Sequence, residues 1–293
     1  MRACGDGSHS EMNETNIRLC IPEVSATLLN GAALVAPRDV QGVAHRPPPG
    51  SNGLLDALLR GAPQNWVEEL EAVTMTAGEA LVQTGTSPAY VTFPTGGLVS
   101  VLVRSGPAAN AEVEVAMVGR HDLVGASALL GTDPASHRAV VQVGAPAYRV
   151  SAAAIRRLME TCPPARALLL RYVRMGLEEA YQIAACNSRH SLEKRLCRWL
   201  LQAHQRLESD TLPFTHDHIA QMLGVRRASV TVALHIIEGE RLIRSTRGRV
   251  DLLDRTRLQN AACDCCGAIA HNRRVLSLDG SLERAAAPSC TPC

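Results

Sequence analysis

The sequence predicts an α+β fold: an antiparallel barrel or sandwich of short strands, then a long helix, then a unit of short helices closed by a hairpin. Three observations predict it. Residues 75–150 alternate short Val-rich runs with glycine turns. Apolar positions from Leu170 to Ala184 recur at alternating spacings of three and four. After Leu212, two helical patterns meet at Gly224, and a basic strand–turn–strand pattern follows them.

The chain of 293 residues is long enough for about two domains with tails. Its hydrophobic content of 46% supports cores, and an aromatic content of 3% means they are built from Leu, Val, Ile and Ala. A net charge of +2 says little, but its distribution says more. Residues 189–257 hold twelve Arg and one Lys (Lys194, the sole lysine) against eight acids, a local excess of +5. A basic final third on a near-neutral chain suggests a module that meets an anion. No stretch reaches the ~18 apolar residues of a membrane span. The mildly apolar run Val24–Ala36 is broken by Asn30 and Gly31 and lacks a basic start, so no signal peptide is expected either. The expected location is the cytoplasm, with no membrane partner. Cys4, Cys20, Cys162, Cys186 and Cys197 then read as free thiols in a reducing compartment.

Residues 1–50 lack periodicity and end in Arg46-Pro47-Pro48-Pro49-Gly50-Ser51, so they are expected to be a disordered extension. Leu54, Leu55, Leu58 and Leu59 form one helical stripe; Trp66, Leu70 and Val73 form another, with Pro63 between them. The strands expected next are Leu81-Val82, Tyr90–Phe93, Leu98–Val103, Val113–Val118, Ala139–Val143 and Ala147–Val150. Together, residues 51–160 make the barrel-bearing domain. Ser151 is a plausible N-cap for a helix through Met159, and Pro163 and Pro164 suit the first turn of the next. In that helix, within residues 161–190, Leu170, Val173, Leu177, Ala180 and Ala184 form a seam suited to dimerisation; packing on its own domain is the alternative. Leu192, Leu196, Trp199, Leu200 and Ala203 line one face of a helix that opens the unit 191–262.

The chemistry concentrates after Leu212. Thr215 can cap a helix with Ile219, Met222 and Leu223 inward. Gly224 sits where a left-handed residue ends a helix. A second helix begins near Arg226, with Val230, Leu234 and Ile237 inward. Its outward face offers Arg226, Arg227, Ser229 and Thr231. Arg can fork onto guanine O6 and N7, and Ser and Thr can meet phosphate or base. The hairpin that follows carries Arg247 and Arg249 at its tip, placed to touch phosphates. Each piece alone is weak, but the ordered set points to double-stranded DNA. His216, Asp217 and His218, at a helix start, read as capping and DNA-backbone residues.

With these motifs, and with Gly78-Glu79-Ala80-Leu81, Gly85 and Gly96-Gly97-Leu98-Val99 in the barrel, the chain resembles the Crp/Fnr family of bacterial transcription regulators from about Leu54 to Ala262. The resemblance implies a jelly-roll sensor domain of cyclic-nucleotide-binding type, a long dimerisation helix, and a C-terminal winged helix-turn-helix reading a palindrome as a homodimer. It places Ser191 near the hinge between dimer helix and DNA-binding domain. RNA polymerase and a small-molecule effector are further partners it implies. Arg227 matches the family's guanine-reading Arg. The Glu that usually follows is Ala228 here, and a further Arg of cAMP-responsive members is Val232, so the operator does not carry over.

The effector loop carried over from the family contains Gly125, Ser127, Arg138 and Ala139. Arg138 fits the phosphate-binding Arg, but Ala126 replaces the Glu that holds the ribose hydroxyl. Leaving that bond unmet would cost about 1–3 kcal/mol, so an effector other than cAMP is expected. An iron–sulfur cluster is not expected, because Cys4 and Cys20 stand sixteen apart and the barrel holds no cysteine. Residues 263–293 read as a flexible tail. Its Cys263-Asp264-Cys265-Cys266 and Cys290-Thr291-Pro292-Cys293 hold enough thiols for zinc or redox chemistry, but the first cluster lacks zinc-knuckle spacing, and no metal ligand is assigned. No nucleophile elbow, P-loop, H-E-x-x-H or catalytic carboxylate pair is found, so no enzyme is expected. The competing reading is an effector-binding module whose helical C-terminus meets protein rather than DNA.

Overall fold

The computed structural model describes residues 46–106, 112–131 and 133–276; the first 45 residues and the 290–293 cysteines lie outside them. Helix α1 (Gly53–Leu59) starts at Asn52, whose Oδ1 accepts from Leu55 N at 2.9 Å. The same fully buried side chain donates to the carbonyls of Pro94 and Asp122, each at 2.8 Å. One polar residue thus caps a helix and ties it to the end of one strand and to the turn after another. Pro63 precedes the short α2 (Gln64–Val67), so the helical stretch breaks where the proline predicted.

Seven strands follow: β1 (Glu71–Met75), β2 (Ala80–Val82), β3 (Tyr90–Pro94), β4 (Leu98–Arg104), β5 (Glu112–Val118), β6 (Arg138–Val143) and β7 (Ala145–Ser151). They form two antiparallel sheets, ordered β1-β7-β3 and β2-β6-β4-β5. Met75, Val82, Val99, Val118, Val141 and Ala147 belong to one buried cluster drawn from both sheets. All six expected strands are present, and β1 is an addition. Val73, which the helical spacing grouped with Trp66 and Leu70, belongs to this mostly exposed strand, paired with Ala147. Strand pairing overrode a three-residue helical stripe that ended at a strand start.

Helix α3 (Ala152–Thr161) is capped by Ser151, whose Oγ accepts from Ala154 N at 3.1 Å. Helix α4 (Pro163–Arg189) has proline in its first turn and 27 residues, a rod of about 40 Å. Its N-terminal half joins α1, α3 and β3 in a core with Leu54, Phe93, Ile155, Leu158 and Leu169. Then come α5 (Leu192–Leu207), β8 (Thr211–Leu212), α6 (His216–Leu223), α7 (Arg227–Gly239), β9 (Ile243–Thr246), β10 (Arg249–Leu252), α8 (Arg255–Ala261) and α9 (Cys265–Leu276). The last helix departs from the expected flexible tail: residues 265–276 are helical and pack along α4. Cys186 and Cys197 are free thiols, as expected, whereas Cys162 is in a disulfide. No helix among the described residues is long and apolar enough to cross a membrane.

The largest buried cluster joins the two halves of the chain. Leu98, Leu102, Met117 and Val140 turn away from the sandwich interior and pack with Leu196, Trp199, Leu200, Leu223 and Leu234. Strand β4 is therefore covered on both faces, which explains its almost unbroken apolar run. Two polar residues lie on this covered face. Ser100 donates to Glu114 Oε2, and Trp199 Nε1 donates to Glu114 Oε1 at 2.7 Å. Burial pushes the Glu114 carboxyl up to about 7, against the smaller opposing effects of these two hydrogen bonds and of Arg198 and Arg206.

A raised carboxyl pKa makes the folded state bind its proton more tightly than the unfolded chain. That contribution is complete below the ordinary value of 4.5 and is lost as pH rises from 4.5 through about 7, roughly 3 kcal/mol in all. Glu114→Gln keeps an acceptor for Trp199 and does not titrate. Urea midpoints at pH 5 and pH 8 are expected to differ less in this variant than in the wild type. Equal differences would remove Glu114 as the source.

Candidate nucleic-acid interface and sensor cavity

The helix-turn-helix forms as its sequence dictates. Thr215 Oγ1 accepts from His218 N at 3.1 Å and caps α6. Gly224 adopts φ +66° and ψ 38° at the end of that helix, the left-handed conformation that glycine accepts without strain. Val225 N returns to Ala220 O at 3.0 Å, closing the turn. Arg195 Nη2 donates to Leu223 O at 2.7 Å, meeting a carbonyl the helix leaves open. Arg226 occupies the N-cap of α7, and Val230, Ala233, Leu234 and Ile237 face the core.

The outward face of α7 carries Arg226, Arg227 and Ser229 in the open, with Thr231 half-buried. Arg227 Nη1 lies 3.3 Å from Asp217 Oδ2 in an exposed pair, a contact too solvated to hold it firmly. Thr231 differs from the expectation of a free contact residue. Its Oγ1 is 3.0 Å from His216 Nδ1, while His216 Nε2 is 3.0 Å from Ser245 Oγ. His216 thereby joins α6, α7 and the wing. Burial, then Arg227 and His235, hold its imidazole below the usual pKa. His218 turns inward and stacks on Phe214 with centroids 4.9 Å apart, and burial pushes it down to about 4. It serves the core rather than the surface expected from the sequence.

Sequence reasoning passed over Ile236 on this face and noted Val232 only as standing at the position of a family Arg. Val232 is 59% and Ile236 47% exposed, unusual for aliphatic side chains on an otherwise packed helix. With Ser229 they form an i, i+3, i+7 stripe. Val232 could be found from that spacing; Ile236 could not, because its neighbour Ile237 gives the same apolar signal and points inward. The wing is the β9–β10 hairpin with β8 on its far side, in the order β8-β10-β9. Arg249 pairs in register with Thr246, leaving Arg247 and Gly248 as a two-residue turn with Gly248 at φ +81°. Arg244, Arg247 and Arg249 are exposed along it, and Arg249 Nε lies 3.3 Å from Asp251 Oδ2. Ser245 N donates to Glu238 Oε1 at 3.0 Å, fixing the wing to the end of α7.

The proposed effector residues divide. A cavity of about 310 Å³ lies between the sheet of β4, β5 and β6 and helix α4. Gly125 and Ala139 line it; Ser127 and Arg138 do not. Gly125 has φ +91°, and a Cβ there would stand 2.8 Å from Tyr90 O, so only glycine fits this turn. Arg138 Nη2 is 3.3 Å from Glu112 Oε2, engaged outside the cavity. The walls are mostly apolar, with Val101, Val124, Ala126 and Val173. Polar groups gather at one end, where Tyr172 Oη bonds the backbone of Leu123 through both its N–H (3.1 Å) and its C=O (3.0 Å).

That end opens on a buried charge cluster. Arg273 from α9 donates to Glu179 Oε2 at 2.7 Å and pairs with Asp122. Arg206 from α5 donates to Glu179 Oε1 at 2.8 Å, and Gln202 Nε2 to the same oxygen at 2.9 Å. Burial opposes the charge on Glu179, but Arg206 and Arg273 outweigh it and hold its carboxyl below the ordinary range. On α4, Leu170, Leu177, Tyr181 and Ala184 remain exposed at spacings of seven, four and three. Val173 and Ala180, also expected on this seam, are half-buried, and Val173 packs against the sensor core.

Comparison with known proteins agrees with this geometry. Residues 72–162 match the cyclic nucleotide-binding domain, and residues 194–261 match the Crp-like helix-turn-helix domain. No curated protein matches the sequence. Among solved structures, FixK2 from Bradyrhizobium japonicum is similar at 16% identity and TM-score 0.57, over 66% of this chain and 98% of its own. A Crp/Fnr-family regulator from Eubacterium rectale gives 16% and 0.56, over 70% of this chain and 96% of its own. A CRP/FNR-family regulator from Thermus thermophilus gives 22% and 0.55, over 66% of this chain and 98% of its own. Fold and site together define a DNA-binding transcription regulator with a winged helix-turn-helix on a cyclic-nucleotide-binding-like β-roll. The chain is similar to the Crp/Fnr family in both domains and in their order.

Gly224 tests the turn itself. A Cβ there would need a left-handed residue and would sit 3.1 Å from Val113 Cγ2 on β5. Gly224→Ala is expected to lower unfolding free energy by about 1–2 kcal/mol, the cost of left-handed backbone for an L-residue. A urea midpoint unchanged from wild type would contradict this account of the turn.

Proposed function

We propose that the protein is a homodimeric, sequence-specific DNA-binding regulator, cytoplasmic and not an enzyme, with α7 as its recognition helix. The observation that carries this reading is the open face of α7, with Arg226, Arg227 and Ser229 at its start and Val232 and Ile236 along it, beside a wing bearing Arg244, Arg247 and Arg249. Arg227 reads guanine through its guanidinium fork, and the aliphatic pair meets thymine methyl groups. The wing arginines meet phosphate and supply affinity that falls with salt. Thr215 keeps its capping role at the N-terminus of α6, where backbone N–H groups suit a phosphate. Thr231 contributes by holding His216 in position.

Dimerisation runs along α4 through Leu170, Leu177, Tyr181 and Ala184. Their heptad-like spacing supports a helix pair, which sets two recognition helices about one DNA turn apart. The effector is a compact, largely apolar molecule rather than cAMP. Supporting this, the cavity walls are aliphatic and Arg138, the residue suited to a cyclic phosphate, is tied to Glu112 outside the cavity. Binding there biases the position of α4, and through it the spacing of the two recognition helices.

The test is fluorescence anisotropy on operator DNA recovered by selection, at several salt concentrations. Arg227→Ala is expected to cost about 1–3 kcal/mol on the preferred site, while Arg247→Ala weakens all sequences alike and reduces the salt slope. A folded dimer that binds no DNA would refute the reading and favour a protein partner for the C-terminal unit. Leu177→Asp is expected to give a monomer in sedimentation velocity and to lose operator affinity; a variant that stays dimeric would move the seam elsewhere.

A further inference from the structure

Four side chains that neither the DNA-binding face nor the sensor cavity uses converge at the end of α4. Cys186 lies in the last turn of α4, and His190, the residue that ends the helix, returns its backbone N–H to Cys186 O at 3.0 Å. Cys263 comes from the link between α8 and α9 and Cys265 is the first residue of α9, with Asp264 between them. One ligand atom from each of the four lies within 4.8 Å of every other. The three cysteines are buried and the histidine is half-buried. Cys186 Sγ is 3.4 Å from Cys263 Sγ, and Cys265 Sγ is 3.6 Å from His190 Nδ1. A tetrahedral ion with bonds of about 2.3 Å to sulfur and 2.0–2.1 Å to nitrogen separates its ligand atoms by roughly 3.6–3.8 Å. The two separations lie near that range, so the four atoms surround a volume fit for a single ion.

Two donors aim at the sulfurs. Arg198 Nε points at Cys186 Sγ from 3.3 Å, and Gln182 Nε2 donates to Cys265 Sγ at 3.0 Å. Donors aimed at ligand atoms fix their orientation. Cys197 and Cys266 lie in the hydrophobic core around α5 and are not part of the set.

We propose that Cys186, His190, Cys263 and Cys265 bind one thiophilic divalent ion, zinc foremost, in a closed structural site. Four protein ligands leave no position for substrate, which marks the site as structural rather than catalytic. The three sulfurs and one imidazole exclude magnesium and calcium, which take oxygen. The ion staples the start of α9 to the end of α4. It thereby holds Arg273, eight residues further along α9, beside Glu179 and Asp122. The sequence assigned no metal here because it sought all the ligands within the tail, whereas half of them come from α4.

Full-length protein purified without chelator is expected to carry one zinc per chain by elemental mass spectrometry. After chelation, cobalt(II) is expected to restore one equivalent with the intense visible absorption of a tetrahedral site and a sulfur-to-cobalt charge-transfer band. That spectrum needs no variant and so does not depend on any mutant folding. Cys263→Ser and Cys186→Ser are expected to lose the ion, and Cys197→Ala and Cys266→Ala to keep it. The proposal is overturned by a wild-type chain that neither carries zinc nor takes up cobalt. It is equally overturned by ligand variants that keep a full equivalent, or by a Cys186–Cys263 disulfide in a metal-free protein.

Discussion

The buried carboxylate of Glu179 is the constraint on which the arrangement of this chain turns. It lies on α4, 5% exposed, and is met by Arg206 and Gln202 from α5 and by Arg273 from α9. Arg273 reaches on to Asp122, in the link between β5 and β6. Four segments far apart in sequence are thus held by one charge. Such a cluster adds little net stability over an apolar replacement, but removing one partner strands the others and costs about 3–5 kcal/mol. It ties α4, α5 and α9 to one another through Glu179, Arg206 and Arg273.

The apolar interface works in the same direction. Because Leu98, Leu102 and Met117 share a core with Trp199, Leu200 and Leu223, the DNA-binding half is not a bead on a tether. Gly224, the pivot of the helix-turn-helix, packs within van der Waals reach of Val113 on β5. Glu114 sits inside this interface, its carboxyl pushed up to about 7 by burial. The sensor sheet and the recognition unit are therefore coupled through contact as well as through α4.

Most of this fold was legible in the sequence, for physical reasons that differ by element. The helix-turn-helix was readable because caps and turns are local: Thr215, Gly224 and the inward Val230, Leu234 and Ile237 each act within a few residues of where they stand. Six strands were readable from β-branched runs between glycines. Strand β1 was not, because an exposed strand leaves only Met75 buried and its Val73 fell into a helical spacing. Helix α9 was missed because Ala, Gly and Arg around the cysteines give no stripe; its partner is a polar stripe on α4 that exists only once the chain is folded. The pairing of Arg138 was not legible because it opens β6, where Ala139 lines the cavity and Arg138 lies beside Glu112 on β5. Thr231 was read as a phosphate or base contact; its bond to His216 was not legible because that partner lies fifteen residues away.

A ligand shifts an equilibrium only as far as it binds two states differently. The cavity has the means to do so, since one wall is the β-roll and the other is α4, through Tyr172, Val173, Gly176 and Leu177. Leu177 also belongs to the exposed stripe of that helix, which is the proposed dimer seam, so its side chain borders both. At the polar end, Asp122, Glu179 and Arg273 line the same cavity and belong to the charge cluster. At this end Tyr172 Oη bonds the Leu123 backbone next to Asp122, which Arg273 joins to Glu179. Glu179 is bonded in turn to Arg206 on α5, the helix that carries the DNA-binding unit. Contact between sensor and reader is in this way a continuous run of paired charges, with α9 as one of its members rather than a tail.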